Sequence, residues 1–267
     1  MNSDVANAPR IDDAAGTVTY EQPLAERMRT FLRLEFLAQQ ANHHSLQAST
    51  WSSRAAIGSL LEILTILGRG DIRSEVLKEL ERQVSQLAPF RSRPGVDKAR
   101  LDALLDRVSK LRTELSSAGA HYMQDLKASE FLSAIKHRSA IPGGTCEFDL
   151  PDFKHWLGLP YEQRVRDFQA WFSGIKPLCE AVAQVLWLTR EAAKGQPQVA
   201  RNGLFQHSLD RGTPAQLLRV TMSAPCDVYP EISGSQHRFT VRFLHWEGIG
   251  ARPVQTSDDV SFVLACC

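Results

Sequence analysis

Residues Leu217–Trp246 read LLRVTMSAPCDVYPEISGSQHRFTVRFLHW, and both ends of this stretch alternate between apolar and polar side chains. In the second run the alternation includes two arginines, in the order Arg238, Phe239, Thr240, Val241, Arg242 and Phe243. Because successive side chains of a strand point to opposite faces, one face is apolar and the other carries guanidinium groups.

The bridge between the two runs contains Pro225, Pro230 and the sequence Ser233–Ser235, all of which favour turns. The pattern therefore predicts an antiparallel pair formed by the two runs, with a polar face that bears arginines. On shape alone, the favoured interpretation of that face is the solvated outer surface of a half-buried sheet.

Composition excludes several classes of protein. The 267 residues carry a net charge of +1, so no global charge favours nucleic acid or an anionic membrane. No apolar run has the length of a membrane span, and the first 16 residues do not form a secretory signal. The five cysteines lack metal-ligand spacing, and an odd number without a signal is typical of reduced thiols in a cytosol.

Periodicity assigns helices to the middle of the chain and strands to its ends. Helical spacing covers residues 24–37, 51–67, 72–87, 97–115, 122–138, 153–159, 161–172 and 177–193. Alternation covers residues 17–21, 199–207, 217–223, 237–246 and 260–265. This segregation predicts an α+β fold, with a central all-helical domain and a small antiparallel β domain formed by the first strand and the C-terminal strands.

The predicted organisation has four parts. Residues 1–16 form a disordered tail, 17–22 the first strand of the β domain, 23–196 the helical domain and 197–267 the rest of the β domain. Within the helical domain, the apolar residues between Leu101 and Leu115 approach a heptad seam. That seam is a candidate for packing within one bundle or against a second copy of the chain.

Catalytic signatures are absent from the sequence. It contains no HExxH, GxSxG or phosphate-binding loop, and the glycine pair at 143–144 follows no strand. Cys146 is a nucleophile only if a base such as His155 meets it, and a buried structural thiol is the alternative. The pair Cys266 and Cys267 ends an alternating run, which favours a strand terminus over a redox or metal site.

Several motifs together resemble the ZapD family of bacterial cell-division proteins. In family order they are PLAERMRTFLRLEFL (23–37), RGDIRSEVLKELERQ (69–83), PGVD (94–97), SAIPGGTCEFDLP (139–151), NGLFQ (202–206), LLRV (217–220), YPEISGSQHRFTVRF (229–243) and VSFVLACC (260–267). The resemblance covers the chain from about residue 18 to its end. The departures are an added N-terminal tail and a serine-rich loop before the second helix.

The resemblance implies a homodimer without enzymatic activity or a cofactor. Such a protein binds the C-terminal tail of FtsZ, the tubulin-like division GTPase, and cross-links FtsZ filaments in the cytoplasm at the mid-cell division ring. No nucleic acid, metal or membrane insertion is expected. The family's basic positions match Arg33, Arg69, Arg73, Arg238 and Arg242, with Arg138 as a weaker candidate, and each of them is otherwise a surface arginine.

Guanidinium groups suit this partner because they bind carboxylates in bidentate fashion and stack on apolar groups. We therefore predict a basic groove where the sheet meets the helical domain. An adaptor that binds nucleic acid or another acidic partner through the same arginine-bearing face is the alternative function, and it would lose affinity steeply with salt.

Overall fold

The helices and strands follow the predicted α+β division. A computed structural model of the chain describes residues 16–117, 123–209 and 215–267. The helices are α1 Glu26–Ser45, α2 Thr50–Leu67, α3 Ile72–Leu87, α4 Lys98–Ser117, α5 Gln124–Ala128, α6 Glu130–Ser139, α7 Pro151–Leu157, α8 Tyr161–Ser173 and α9 Lys176–Ala192. The strands are β1 Thr17–Pro23, β2 Gln196–Ala200, β3 Leu204–Ser208, β4 Leu217–Ser223, β5 Val228–Gly234, β6 Arg238–His245, β7 Val254–Gln255 and β8 Val260–Cys266. Nearly all of the tail predicted at residues 1–16 lies outside the described residues.

The chain divides into two compact units. The β unit comprises Met1–Arg29 and Trp187–Cys267, and the helical unit comprises Thr30–Leu186. These limits fall inside α1 and α9, whereas the sequence places the limits of the helical domain at residues 23 and 196. The sequence-based domain limits stay a prediction.

The β unit contains two antiparallel sheets. Sheet A has the strand order β1-β4-β8-β2, and sheet B has the order β3-β6-β5, with β7 paired to β6. Their apolar faces share one core, which contains Leu218, Val220, Phe239, Val241, Phe243 and Phe262. The alternation predicted for residues 238–243 is confirmed, since Phe239, Val241 and Phe243 are buried and the arginines are exposed.

One pairing expected from the sequence is wrong. The runs that begin at Leu217 and His237 do not pair, because β4 lies in sheet A and β6 lies in sheet B. The bridge between them forms β5, which pairs with β6. Its Pro230 and Gly234 look like turn residues in a sequence, but proline is tolerated on an edge strand.

The two ends of the chain meet in sheet A, as predicted. β1 pairs with β4 along its whole length, from Thr17 opposite Ser223 to Pro23 opposite Leu217. The hydroxyl groups of Thr19 and Thr221, 202 positions apart in the sequence, lie 2.8 Å from each other.

The carboxylate of Glu21 joins two strands of this sheet to the helix α9. Glu21 of β1 accepts hydrogen bonds from Nε and Nη2 of Arg190 on α9, both at 2.9 Å. It also accepts one at 2.9 Å from Nε of Arg219, its cross-strand neighbour on β4. The side chains are only 18%, 18% and 10% exposed for Glu21, Arg190 and Arg219, so water screens the three charges poorly.

We expect Glu21→Gln to lower the free energy of unfolding by about 1–3 kcal/mol, because two largely buried guanidinium groups would lose their carboxylate. Urea denaturation followed by circular dichroism measures the loss. Glu26→Gln is the matched control, since Glu26 is 80% exposed and pairs with Arg29 on the surface. A loss no larger than that of the control would show that the cluster does not stabilise the β unit.

The helical unit agrees with the predicted helices, with two exceptions: α1 continues to Ser45, beyond its predicted end, and one predicted helix is divided. α3 begins where predicted, and Asp71 caps it by accepting a hydrogen bond from the Ser74 amide at 3.1 Å. The Ser74 hydroxyl and amide lower the pKa of the Asp71 carboxyl.

The helix predicted over 122–138 is instead two helices, because Ser129 leaves helical geometry and caps α6 through the Leu132 amide. The apolar spacing continues across this break, so periodicity alone does not reveal it.

The heptad-like seam of α4 is used within the chain. Its residues Leu101, Leu105, Val108, Leu111 and Leu115 are all buried in the single chain. α3 packs beside α4, so the structure favours bundle packing over a seam left open for a second copy.

Arg73 fastens α3 to the end of α4. Its Nε donates to the Leu115 carbonyl at 2.9 Å, and its Nη2 donates to the Ser116 carbonyl at 2.8 Å. These carbonyls belong to the last turn of a helix, where a cation is favourable.

We expect Arg73→Ala to cost about 1–2 kcal/mol of unfolding free energy, because it leaves helix-terminal carbonyls without donors. Arg69→Ala is the matched variant: Arg69 is exposed and its side chain has no polar partner among the described residues, so its loss should be within about 0.5 kcal/mol. Equal thermal stability of the two variants would contradict the structural role of Arg73.

Candidate protein-binding surface

The six arginines singled out from the sequence are divided between the two units. Arg238 and Arg242 belong to the β unit, and Arg33, Arg69, Arg73 and Arg138 belong to the helical unit. The expectation that they form one groove stays a prediction, so the two groups are described separately.

In the β unit, Arg238 and Arg242 lie on the same outer face of β6. Arg242 reaches across to its neighbour on β5, Glu231, and its Nε donates to the carboxylate at 3.0 Å. Arg238 is exposed and has no ion pair or side-chain hydrogen bond with any described residue. Arg238 is therefore a cation held on a regular strand without a counter-charge from the described chain.

A shallow cavity of about 230 Å³ lies beside Arg238, where β5 turns into β6. It is lined by Ser233, Gly234, Ser235, Arg238, Phe239 and Thr240. Three hydroxyl groups and one guanidinium are hydrogen-bond donors suited to a carboxylate. Gly234 is required at this corner, because a Cβ atom there would lie 2.5 Å from Cβ of Phe239 and 2.8 Å from the Arg238 carbonyl oxygen.

The sequence assigned Ser233, Gly234 and Ser235 to a turn and proposed no binding role for them. The signal that could have drawn attention to them is their place next to an alternating run with arginines. Only the register of β5 on β6, which sets Ser233 opposite Thr240, brings these hydroxyl groups beside Arg238.

In the helical unit, the four arginines have different surroundings. Arg33 is exposed on α1, one turn before Phe36, whose side chain is 59% exposed. Neither Arg33 nor Arg69 has a polar side-chain partner among the described residues. Arg73 holds the end of α4, as described above, and Arg138 forms an ion pair with Asp149, with Nη1 and Oδ1 3.4 Å apart. Arg33 and Arg69 are thus the more available cations of this unit.

Most of the loop at residues 139–150 is exposed, including Phe148 at 86%, and only Gly144 and Leu150 are buried. A Cβ atom on Gly144 would lie 2.3 Å from the Arg138 carbonyl oxygen, so glycine is needed there for close packing. Arg54 donates to the Thr145 carbonyl at 2.8 Å and lies 4.9 Å from the ring centre of Phe153. These contacts account for Gly144 and for the position of Thr145 without a bound phosphate.

Three of the cysteines, Cys146, Cys266 and Cys267, do not resemble activated nucleophiles. The thiol of Cys146 donates a weak hydrogen bond to Asp149 at 3.4 Å, and its partner is neither a cation nor an imidazole. Burial raises the pKa of the Cys267 thiol to about 12 and also raises the pKa of Cys266.

Metal sites and membrane-spanning helices are both absent from residues 16–117, 123–209 and 215–267. In these ranges, no three His, Cys, Asp or Glu side chains converge in an arrangement that could hold a metal ion. No helix there is both long enough and apolar enough to cross a membrane.

Comparison with known proteins identifies the relatives of this chain. The family model for ZapD, described as a cell division protein, matches residues 32–242. Cell division protein ZapD of Methylococcus capsulatus is 40% identical over 251 residues, which cover 94% of this chain and 98% of the relative. The proteins of the same name from Photobacterium profundum and an Escherichia coli O17:K52:H18 strain are 38% and 37% identical, with 94% of this chain and 99% and 98% of the relatives covered.

These alignments cover nearly the whole of this chain and of each relative. The name of these relatives refers to a role in cell division and mentions no catalytic activity. The chain belongs to the ZapD family of cell division proteins.

Proposed function

We propose that this protein binds the C-terminal tail of FtsZ and, as a homodimer, cross-links FtsZ filaments at the division ring in the cytoplasm. The observation that carries the proposal is the exposed Arg238, which lacks a counter-charge within the described chain and lines a cavity with three hydroxyl groups. A ligand with a carboxylate would supply the missing charge.

The outer face of sheet B suits a short peptide better than a small molecule. Its cavity is shallow and open, whereas sites for small molecules are enclosed and mostly apolar. A short segment that becomes ordered on binding gains little affinity at each site, because ordering it costs conformational entropy.

Weak sites become effective when they are repeated. A dimer presents two sites and can bridge two filaments, and the many tails along a polymer raise the effective concentration at each site. Cross-linking therefore requires a dimer and no catalytic step. The cations on the helical unit, Arg33 and Arg69, are proposed as further contacts with FtsZ, and Arg73 and Arg138 as weaker ones.

We expect the protein to co-sediment with GTP-assembled FtsZ and to bundle it, but to co-sediment poorly with FtsZ that lacks its C-terminal tail. Pelleting and light scattering measure the two effects. Equal co-sedimentation with both forms would place the site on the globular part of FtsZ, and no co-sedimentation with either would contradict the proposal.

Arg238→Glu should weaken binding to the tail at least tenfold, because it replaces an unpaired cation by a charge that repels carboxylates. Arg242→Gln should weaken it less, since that arginine already shares its charge with Glu231. Arg107 on α4 is also exposed, so Arg107→Glu is the matched control and should bind normally. Fluorescence anisotropy with a labelled FtsZ-tail peptide measures all three, and normal binding by Arg238→Glu would exclude the cavity as the site.

We expect the purified protein to sediment as a dimer in analytical ultracentrifugation. Tail binding should survive dilution to the monomer, whereas bundling should be lost, because only bundling needs two sites on one particle. Bundling by a species that sediments as a monomer would contradict the bridging mechanism.

A further inference from the structure

The edge of sheet B beside the cavity has backbone groups without partners. Among the described strands, β5 pairs only with β6, so its other side is an edge. A strand edge presents N–H and C=O groups to any extended chain that can pair with it.

Two hydrogen bonds establish which groups of β5 point outward. The Ser235 amide donates to the Arg238 carbonyl at 2.8 Å, so this pair closes the β5–β6 hairpin. The Phe243 amide donates to the Gly203 carbonyl at 2.8 Å, away from β5. In an antiparallel ladder the direction alternates along the strand, so the backbone groups of Val228, Ile232 and Gly234 point away from β6. The backbone of Pro230 also points away from β6, so the N–H group that proline lacks costs the ladder no hydrogen bond.

The accessible part of this edge is short. Pro230 is buried, Ile232 is half-buried, and Ser233 and Gly234 are exposed. Within the described residues, the amides of Ile232 and Gly234 have no hydrogen-bond acceptor. The free edge therefore consists of the outward groups of Ile232 and Gly234, directly beside the cavity.

The charges around this edge select the occupant. Arg242 extends over β5 to reach Glu231, and Arg238 lines the cavity with Ser233 and Ser235. If a second copy of the chain paired along this edge, the neighbouring strand would be its own β5, whose one carboxylate, Glu231, is already paired with Arg242, so the copy would offer no free negative charge to Arg238. An extended segment that carries carboxylates has the complementary charge.

We propose that the partner binds by strand addition: an extended, carboxylate-bearing peptide pairs with the outward groups of Ile232 and Gly234 and places one carboxylate in the cavity beside Arg238. This inference rests on the proposed function, in which the peptide is the FtsZ tail. Main-chain hydrogen bonds then contribute affinity and the cavity contributes specificity. Since only two residues of β5 are available, the added strand is short and the contact is weak.

The backbone of the ligand tests this mode. In a series of synthetic FtsZ-tail peptides, each N-methylated at one position, affinity should fall at alternate residues, by roughly fivefold or more where the amide faces β5. Methylation at the intervening residues should have a small effect. Fluorescence anisotropy gives the affinities, and the unmodified peptide is the reference.

The outcomes separate the two proposals. If the unmodified peptide does not bind, the proposed function fails. If it binds but the losses show no period of two, or cluster as expected for a helical peptide, strand addition is wrong and tail binding stands.

Hydrogen exchange on the protein gives a second measurement that needs no variant. The amides of Ile232 and Gly234 should exchange fast in the free protein and become protected by at least tenfold with saturating peptide. The amides of Glu231 and Ser233 are internal controls, because their ladder bonds to β6 are present in both states. Binding without new protection at Ile232 and Gly234 would overturn the inference.

Discussion

The Glu21 carboxylate, held between Arg190 and Arg219, ties together three segments of the β unit that are far apart in the sequence. It connects the first strand, the end of the last helix and a central strand of sheet A. Bringing together segments about 200 residues apart costs loop-closure entropy, which the pairing of β1 with β4 and this shielded ion cluster must offset. A carboxylate with two guanidinium partners also gives the strand pairing a specific register, because a slip by one residue would move Glu21 to the other face.

The arginines on the outer face of sheet B are a consequence of how its inner face packs. Phe239, Val241 and Phe243 are buried in the shared core, so the alternation of β6 obliges Arg238 and Arg242 to point outward. Core packing holds the backbone beneath the arginines, so binding at this strand costs little backbone entropy. The same hairpin supplies the hydroxyl groups of the cavity and a short free edge, the two features on which the proposed peptide site is built.

Several features of the fold were predictable because they depend on local chemistry. The N-cap at Asp71, the bounds of α3 and the two faces of β6 follow from capping, helical spacing and alternation, and all agree with the structure. The break at Ser129 and the strand β5 were missed, since apolar spacing continues across the first and turn-forming residues conceal the second. The six arginines could be chosen by resemblance to the family. Which of their guanidinium groups are free to bind a partner could not be predicted, because that depends on neighbours such as Glu231, Asp149 and the end of α4.

By itself, the sequence determined the α+β class, the family and the polar character of the β6 surface, because periodicity and motifs are properties of neighbouring residues. Only the tertiary structure decided that β4 and β6 belong to different sheets and that Ile232 and Gly234 lie on a free edge. It also decided that Arg73 holds the end of α4, whereas Arg238 has no counter-charge within the described residues. Each of these depends on which distant segments pair, and strand pairing and side-chain contacts are set by packing over the whole unit and not by local propensity.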